Sequence, residues 1–261
     1  MTIRHGDLRL ELDGDVAEIV WAAPGLNLFT PEVANAYDAV LDDLPDGVRA
    51  LIVRAEGKVF CAGVKAQQFT TMDAAAGTEF SGRLLGLVQR IERLPLPTIA
   101  VVHGLNLTIG LELTLACDFI WAAAEASMGL VEARVGITPA AGGTQRLVAR
   151  AGVAHAREMV ITGRTYAASV LHDWGVVDTV LPEPQLLPQA REFAAELAAG
   201  PTVATGIAKQ IIALTRDRGI AAADAATPAL AGPVLSSEDA AIGVETLLAH
   251  GPGAKPAFRG R

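Results

Sequence analysis

Residues 98–122 read TIAVVHGLNLTIGLELTLACDFIWA, and the reading of that stretch decides the fold class. Thr98 to Val102 is a short, wholly apolar run of the kind that parallel sheets bury on both faces. His103, Gly104 and Asn106 break it with a polar turn, Ile109 to Ala116 continues as an apolar helix, and Asp118 to Ala122 is a second strand. A strand, a crossover helix and a further strand form the β-α-β unit from which parallel sheets are built. Leu94 to Leu111 carries no Asp, Glu, Lys or Arg and is long enough to span a bilayer. Pro95, Pro97 and the polar turn argue instead for strand, turn and helix.

Working outward, the same rhythm recurs. Leu8 to Leu12 and Val16 to Trp21 flank Asp13-Gly14-Asp15, a strong hairpin signal. Thr30 suits an N-cap and Pro31 a first helical position, so a helix is expected from there to Leu41. Ala50 to Val53 reads as a strand and Ala74 to Leu94 as a long amphipathic helix. Beyond Gly142-Gly143 the chain turns helical over 144–151, 155–161, 167–173, 183–199, 203–217 and 238–248, with Val176 to Val180 the one strand there. The expected architecture is an α/β core over residues 1–195 and a C-terminal helical subdomain over 196–261, whose apolar faces need a partner surface.

Composition excludes several function classes. Of the 261 residues 51% are hydrophobic and 19% charged, too apolar for a disordered chain. With 21 basic against 29 acidic residues the net charge is −8, and no Lys/Arg run forms a phosphate-tracking stripe, so nucleic acid is not expected as a partner. An acidic protein that binds an anion must build the site locally, from helix N-termini or a few cations. The N-terminal stretch MTIRHGDLRLELDGD has scattered charges and no apolar run, which argues against a secretory signal and for a cytosolic protein without a membrane anchor. Cys61 and Cys117 are too few for a disulfide scaffold and read as buried thiols. Five scattered histidines lack ligand spacing, so no metal is expected.

Two glycine-bearing turns carry the candidate chemistry. Val59-Phe60-Cys61-Ala62-Gly63-Val64-Lys65 follows a strand, and His103-Gly104-Leu105-Asn106-Leu107-Thr108-Ile109-Gly110 leaves one strand and opens a helix. Two backbone N–H donors from two such turns, one at a helix N-terminus, suit a developing oxyanion. Either glycine alone would be an ordinary turn residue. Glu112 lies in an otherwise apolar helix with no Lys or Arg at helical spacing, a costly place for a carboxylate. Glu132 is a second carboxylate in apolar surroundings, with Arg134 close enough in sequence to neutralise it. Two desolvated carboxylates in one pocket can pass a proton to and from a water or a carbon acid.

These segments carry a resemblance. Phe60-Cys61-Ala62-Gly63-Val64, Gly104 to Phe119, Gly129 to Arg146 with Pro139-Ala140-Ala141-Gly142-Gly143-Thr144-Gln145-Arg146, Thr162-Gly163-Arg164 and the ending Phe258-Arg259-Gly260 resemble the enoyl-CoA hydratase/isomerase (crotonase) family. The similarity runs from about Val16 to the C-terminus. It implies a spiral of ββα units with C-terminal helices that complete a homotrimer or a dimer of trimers, and acyl-CoA thioesters as substrates. No separate cofactor is implied, because coenzyme A is part of the substrate. Carried onto this sequence, the oxyanion donors fall on Val64, after Gly63, and Ile109, before Gly110. Glu112 would hold and activate water, and Glu132 would exchange a proton with the substrate's Cα. Leu26, Ala62, Lys65, Phe258 and Arg259 would stand near the CoA moiety.

Where the family usually has Asp this chain has Lys65. Thr108-Ile109 replaces two glycines, and the β-branched Ile109 is expected to restrict the turn. Pro24-Gly25 stands where many members carry a lysine toward the CoA phosphates. The acyl pocket is expected around Phe69, Met72, Phe80 and Leu84. The expected activity is hydration of a 2-enoyl-CoA. The alternatives are Δ3-Δ2-enoyl-CoA isomerisation, another crotonase-type reaction such as C–C lysis, or acyl-CoA binding without catalysis.

Overall fold

The computed structural model describes residues 1–261. In chain order the strands and helices of the first half are β1 (Thr2–His5), β2 (Leu8–Asp13), β3 (Val16–Trp21), α1 (Pro31–Asp42), β4 (Ala50–Ala55), α2 (Ala74–Glu92), β5 (Thr98–Val102), β6 (Leu105–Leu107), α3 (Ile109–Leu115), β7 (Phe119–Ala123) and β8 (Ser127–Gly129). The second half adds α4 (Gly143–Thr162), β9 (Tyr166–Ala167), α5 (Ala168–Asp173), β10 (Thr179–Leu181), α6 (Glu183–Ala198), α7 (Thr202–Arg218), α8 (Ile220–Ala231) and α9 (Glu238–His250). Thr30 caps α1 as its sequence position suggests, its side chain accepting from the Val33 N–H with Pro31 in the first turn.

The main sheet runs β1-β2-β3-β4-β5-β7-β10, antiparallel through the N-terminal hairpin and parallel from β3 onward. A second sheet, β6-β8-β9, collects the short strands that follow β5 and β7, together with β9, which follows α4 and pairs antiparallel with β8. The turns β5-β6-α3 and β7-β8-α4 therefore go main strand, side strand, helix, and they stack as the expected ββα spiral. Isolated pairings of Phe29 with Val64 and Cys61 with Asn106 extend the side sheet by one more turn. Strands β4 and β5 are buried along their whole length, and Trp21 meets the rings of Phe29 and Tyr37 edge-on at 6.0 and 5.9 Å.

Polar groups fix the outer helices. Arg54 on β4 and Arg191 on α6 both bind the buried Glu18 of β3, at 2.5 and 2.6 Å, so α6 is tied to the sheet by charge as well as packing. Helix α6 lies on β3, β4, β5 and β7, whereas α7 packs chiefly with α8. Arg49 spans the two regions by donating to Thr202, Gly200 and Phe258.

Several sequence expectations change. The strand expected at Val176 to Val180 begins only at Thr179, because the Val176 and Val177 N–H groups both close the end of α5 on the Leu171 carbonyl. The helices expected at 144–151 and 155–161 join in α4 across a kink at Gly152. Helix α8 was hidden by its alanine-rich, unsegregated composition and by Pro228 within it. No single helix is long and apolar enough to cross a membrane.

Candidate active site

The spiral makes the two glycine turns neighbours. Cys61 pairs with Asn106 in parallel register, its N–H donating to the Leu105 carbonyl and its carbonyl accepting from Leu107. Two residues further on, Gly63 faces Thr108, and Val64 and Ile109 follow at equivalent places in consecutive turns. The N–H groups of Val64 and Ile109 donate to no acceptor within the chain. Ile109 owes this to its place as the first residue of α3, where the helix itself offers no partner. Gly63 adopts φ +109°, and a Cβ there would sit 2.9 Å from Thr108 Oγ1, so glycine is required on both counts.

The backbone restriction expected at Ile109 falls one residue earlier. Ile109 is helical and 1% exposed, while Thr108 holds φ 52°, ψ −124°, a conformation costly for a β-branched residue. Its hydroxyl is buried without a partner. That backbone turn aims the α3 N-terminus at the Gly63 loop.

Glu112 is 2% exposed on α3, one turn from the Ile109 N–H. Its Oε1 accepts from the N–H groups of Ala141 and Gly143, both at 2.9 Å. Burial pushes its pKa up, opposed by those two hydrogen bonds and by the charge of Arg146. A Cβ on residue 143 would stand 2.6 Å from Glu112 Cγ, which explains the glycine there. Glu132 is 6% exposed at the start of a 3-10 turn, Glu132–Val135, and its Oε2 is buried without a partner. Burial first, with the nearby charge of Glu112 adding to it against a backbone hydrogen bond, raises Glu132 to about 7. Arg134 does not neutralise it. That side chain is exposed and lies against Gly163 instead.

Cys61 is fully buried with its thiol pushed by desolvation to about 12, which removes it as a nucleophile. Ala62 donates to the carbonyl of the exposed Leu26 at 3.1 Å, so these two residues line one edge of the loop. Lys65 is exposed after Val64. Phe69 and Phe80 meet edge-on at 6.0 Å beside the loop that follows Lys65. Within the chain Phe258 and Arg259 are held elsewhere: Phe258 lies against Gly243 of α9, and Arg259 pairs with Glu238 at 2.6 Å.

Two groups escaped the sequence reading. Asn27, 1% exposed with φ 49°, accepts from Ala23 and donates to the carbonyls of Glu56 and Val59, pinning the loop that leads to Gly63. An asparagine after Pro-Gly was the only signal, since Asn tolerates the left-handed region. The Ala141 and Gly143 N–H donors were likewise unread, although the double glycine marks a close backbone approach.

Consecutive turns of one spiral that bring two unpartnered donors beside two buried carboxylates define a crotonase-type protein. Solved structures agree: a crystal structure of an enoyl-CoA hydratase from Bacillus anthracis matches with TM-score 0.90 at 27% identity, covering 98% of this chain and 100% of that one. The model of the enoyl-CoA hydratase/isomerase family matches residues 11–247, and the chain belongs to that family, whose members act on acyl-CoA thioesters. Among its relatives, an enoyl-CoA isomerase/hydratase of Mycosarcoma maydis is 36% identical over 82% of this chain and 77% of its own length. A mitochondrial methylglutaconyl-CoA hydratase of Rattus norvegicus is 34% identical over 87% of this chain and 72% of its own.

Proposed function

We propose that the chain is a 2-enoyl-CoA hydratase. The observation that carries this reading is the pairing of the free Val64 and Ile109 N–H groups with two buried glutamates in different environments. The thioester oxygen sits between the two donors, where negative charge grows as water adds to Cβ. Glu112, oriented by Ala141 and Gly143, takes a proton from that water. Its oxygen bonds to Cβ, the C=C electrons move to the thioester as an enolate, and Glu132 delivers a proton to Cα. A proton returning from Glu112 to Glu132 completes the addition of one water. A carboxyl raised to about 7 suits the donor role at neutral pH, and each oxyanion donor is worth about 3 kcal/mol in the transition state.

The CoA moiety runs along Leu26, Ala62, Gly63 and Lys65, with Gly110 beneath the thioester. Phe258 and Arg259 reach it from a neighbouring subunit in a homotrimer or a dimer of trimers. Exposed Ile212, Ile220, Leu235, Leu247 and Leu248 on the C-terminal helical segment support such burial. Light scattering on the purified protein tests the assembly. A cytosolic location belongs to the same reading, and cell fractionation tests it, because a bovine relative is named as mitochondrial.

Crotonyl-CoA, longer 2-enoyl-CoAs and 3-methylglutaconyl-CoA are to be assayed by loss of the conjugated thioester absorbance. Turnover that disappears in Glu132→Gln supports hydration, and no turnover on any of them overturns it. The name of the Mycosarcoma relative favours Δ3-Δ2 isomerisation as the second reading, because that shift needs only one proton-shuttling carboxylate. Product analysis with a 3-enoyl-CoA separates the two.

A further inference from the structure

The two main-chain donors that hold Glu112 are themselves clamped from behind. Arg146 on α4 is 8% exposed, and its Nη1 donates to the Gly142 carbonyl at 3.3 Å, between the Ala141 and Gly143 N–H groups that bind Glu112. Its other guanidinium edge forks onto Glu92 at the end of α2, Nε to Oε1 at 3.1 Å and Nη2 to Oε2 at 2.5 Å. Glu92 accepts a further bond from Arg216 of α7 at 2.7 Å, and Arg216 also pairs with Asp217. Three helices thus meet in one charged chain that ends under the candidate catalytic loop. A cavity of about 1260 Å³ opens along it between α2, α4 and α7.

We infer that Arg146, fixed by Glu92 and backed by Arg216, is a positioning residue that sets the orientation of Glu112 through the 141–143 loop. This rests on the proposed hydratase reading for its kinetic test. The planar fork suits that role, because two parallel bonds to one carboxylate hold the guanidinium in a single orientation, which a lysine cannot reproduce. The charged groups facing Glu112 are Glu132 from the 3-10 turn and Arg146 from α4, with Glu92, Arg216 and Asp217 behind Arg146. Removing Arg146 and removing Glu92 must therefore move Glu112 in opposite directions, whereas a general loss of packing would not.

The test is the pH profile of kcat in the full-length protein with a 2-enoyl-CoA. Arg146→Gln is expected to lower kcat by about tenfold to hundredfold with KM within about threefold, since a displaced base loses alignment more than binding. The acid limb moves to higher pH by about a unit as the facing cation is lost. Glu92→Gln, which keeps an acceptor for the guanidinium, moves the limb to lower pH with a smaller loss of kcat. Arg146→Lys restores the limb and only part of kcat, and Arg216→Gln, which removes a more distant cation and leaves Glu92 less compensated, moves the limb to higher pH by less than Arg146→Gln does. Unchanged kcat and limb in Arg146→Gln, or shifts of one sign in both Arg146→Gln and Glu92→Gln, overturn the inference. If wild type turns over no enoyl-CoA, it is the hydratase reading that fails. The coupling is then read in the unliganded protein from pH-dependent urea unfolding of Arg146→Gln, Glu112→Gln and the double variant. Loss of the Arg146→Gln pH effect in the Glu112→Gln background supports the coupling, and its persistence overturns it.

Discussion

Replacing Glu132 by Gln is expected to stabilise the protein at alkaline pH while leaving it little changed in acid. The side chain is 6% exposed, one carboxylate oxygen is buried without a partner, and its pKa rises from 4.5 to about 7. Because the folded value lies above the unfolded one, the native state keeps the proton over a range in which the unfolded chain has released it. Stability is then fully retained below about pH 4.5 and is lost as pH rises through about 7. The full shift corresponds to about 3 kcal/mol, of which about 2.5 kcal/mol falls between pH 5 and pH 8. Glutamine keeps the shape and carries no charge, so this dependence is removed in the variant. Equilibrium urea unfolding of both proteins, at one protein concentration and at pH 5 and pH 8, reads the double difference. The variant should gain about 2.5 kcal/mol over wild type between the two pH values. A difference that stays constant with pH would refute the claim that Glu132 is desolvated beside Glu112.

Three further outcomes follow from the same geometry. Glu112→Gln, whose amide oxygen can still accept from Ala141 and Gly143, should melt above Glu112→Ala, which strands both donors and is less stable by about 2 kcal/mol. Thermal unfolding compares them, and neither should hydrate an enoyl-CoA. Thr108→Gly should relieve the strained φ of 52° and raise stability by about 1 kcal/mol, while Gly63→Ala, forced against Thr108 at φ +109°, should lower it by about 2 kcal/mol or more. Denaturant midpoints decide both signs. Glu18 is pushed up by burial but held below the usual carboxylate range by Arg191 and Arg54, so its contribution is present above pH 4.5 and lost as pH falls through its folded value. Glu18→Gln should flatten the acid limb of the stability profile, and acid titration followed by circular dichroism checks it.

The fold class was legible because burial leaves a periodic trace. Thr98 to Val102 had to be a strand covered on both faces, and the Asp13-Gly14 turn had to close a hairpin. The short strands β6, β8 and β9 left no such trace, since two or three residues are too few for an alternation to show. Yet these are the segments that set Cys61 against Asn106 and so bring the Val64 and Ile109 donors together. The two glutamates were visible as carboxylates in apolar runs. Their partners were not, because hydrogen bonds from Ala141 and Gly143 depend on backbone position and leave no side-chain signature. Arg134 beside Glu132 in sequence was the natural counter-ion, but the 3-10 turn sends it outward.

By itself the sequence determined the βαβ core with its buried parallel strands, the two glycine turns and the two misplaced carboxylates, because each is a local conflict or agreement between residue type and burial, while the spiral came from the family resemblance. Tertiary structure alone decided what those carboxylates are. Register in the side sheet leaves two N–H groups without partners, and close packing gives Glu112 two donors and Glu132 an orphaned oxygen. The chain from Arg216 through Glu92 to Arg146 joins residues far apart in sequence. Acidity is set by what surrounds a group, and those surroundings exist only once the turns of the spiral have stacked.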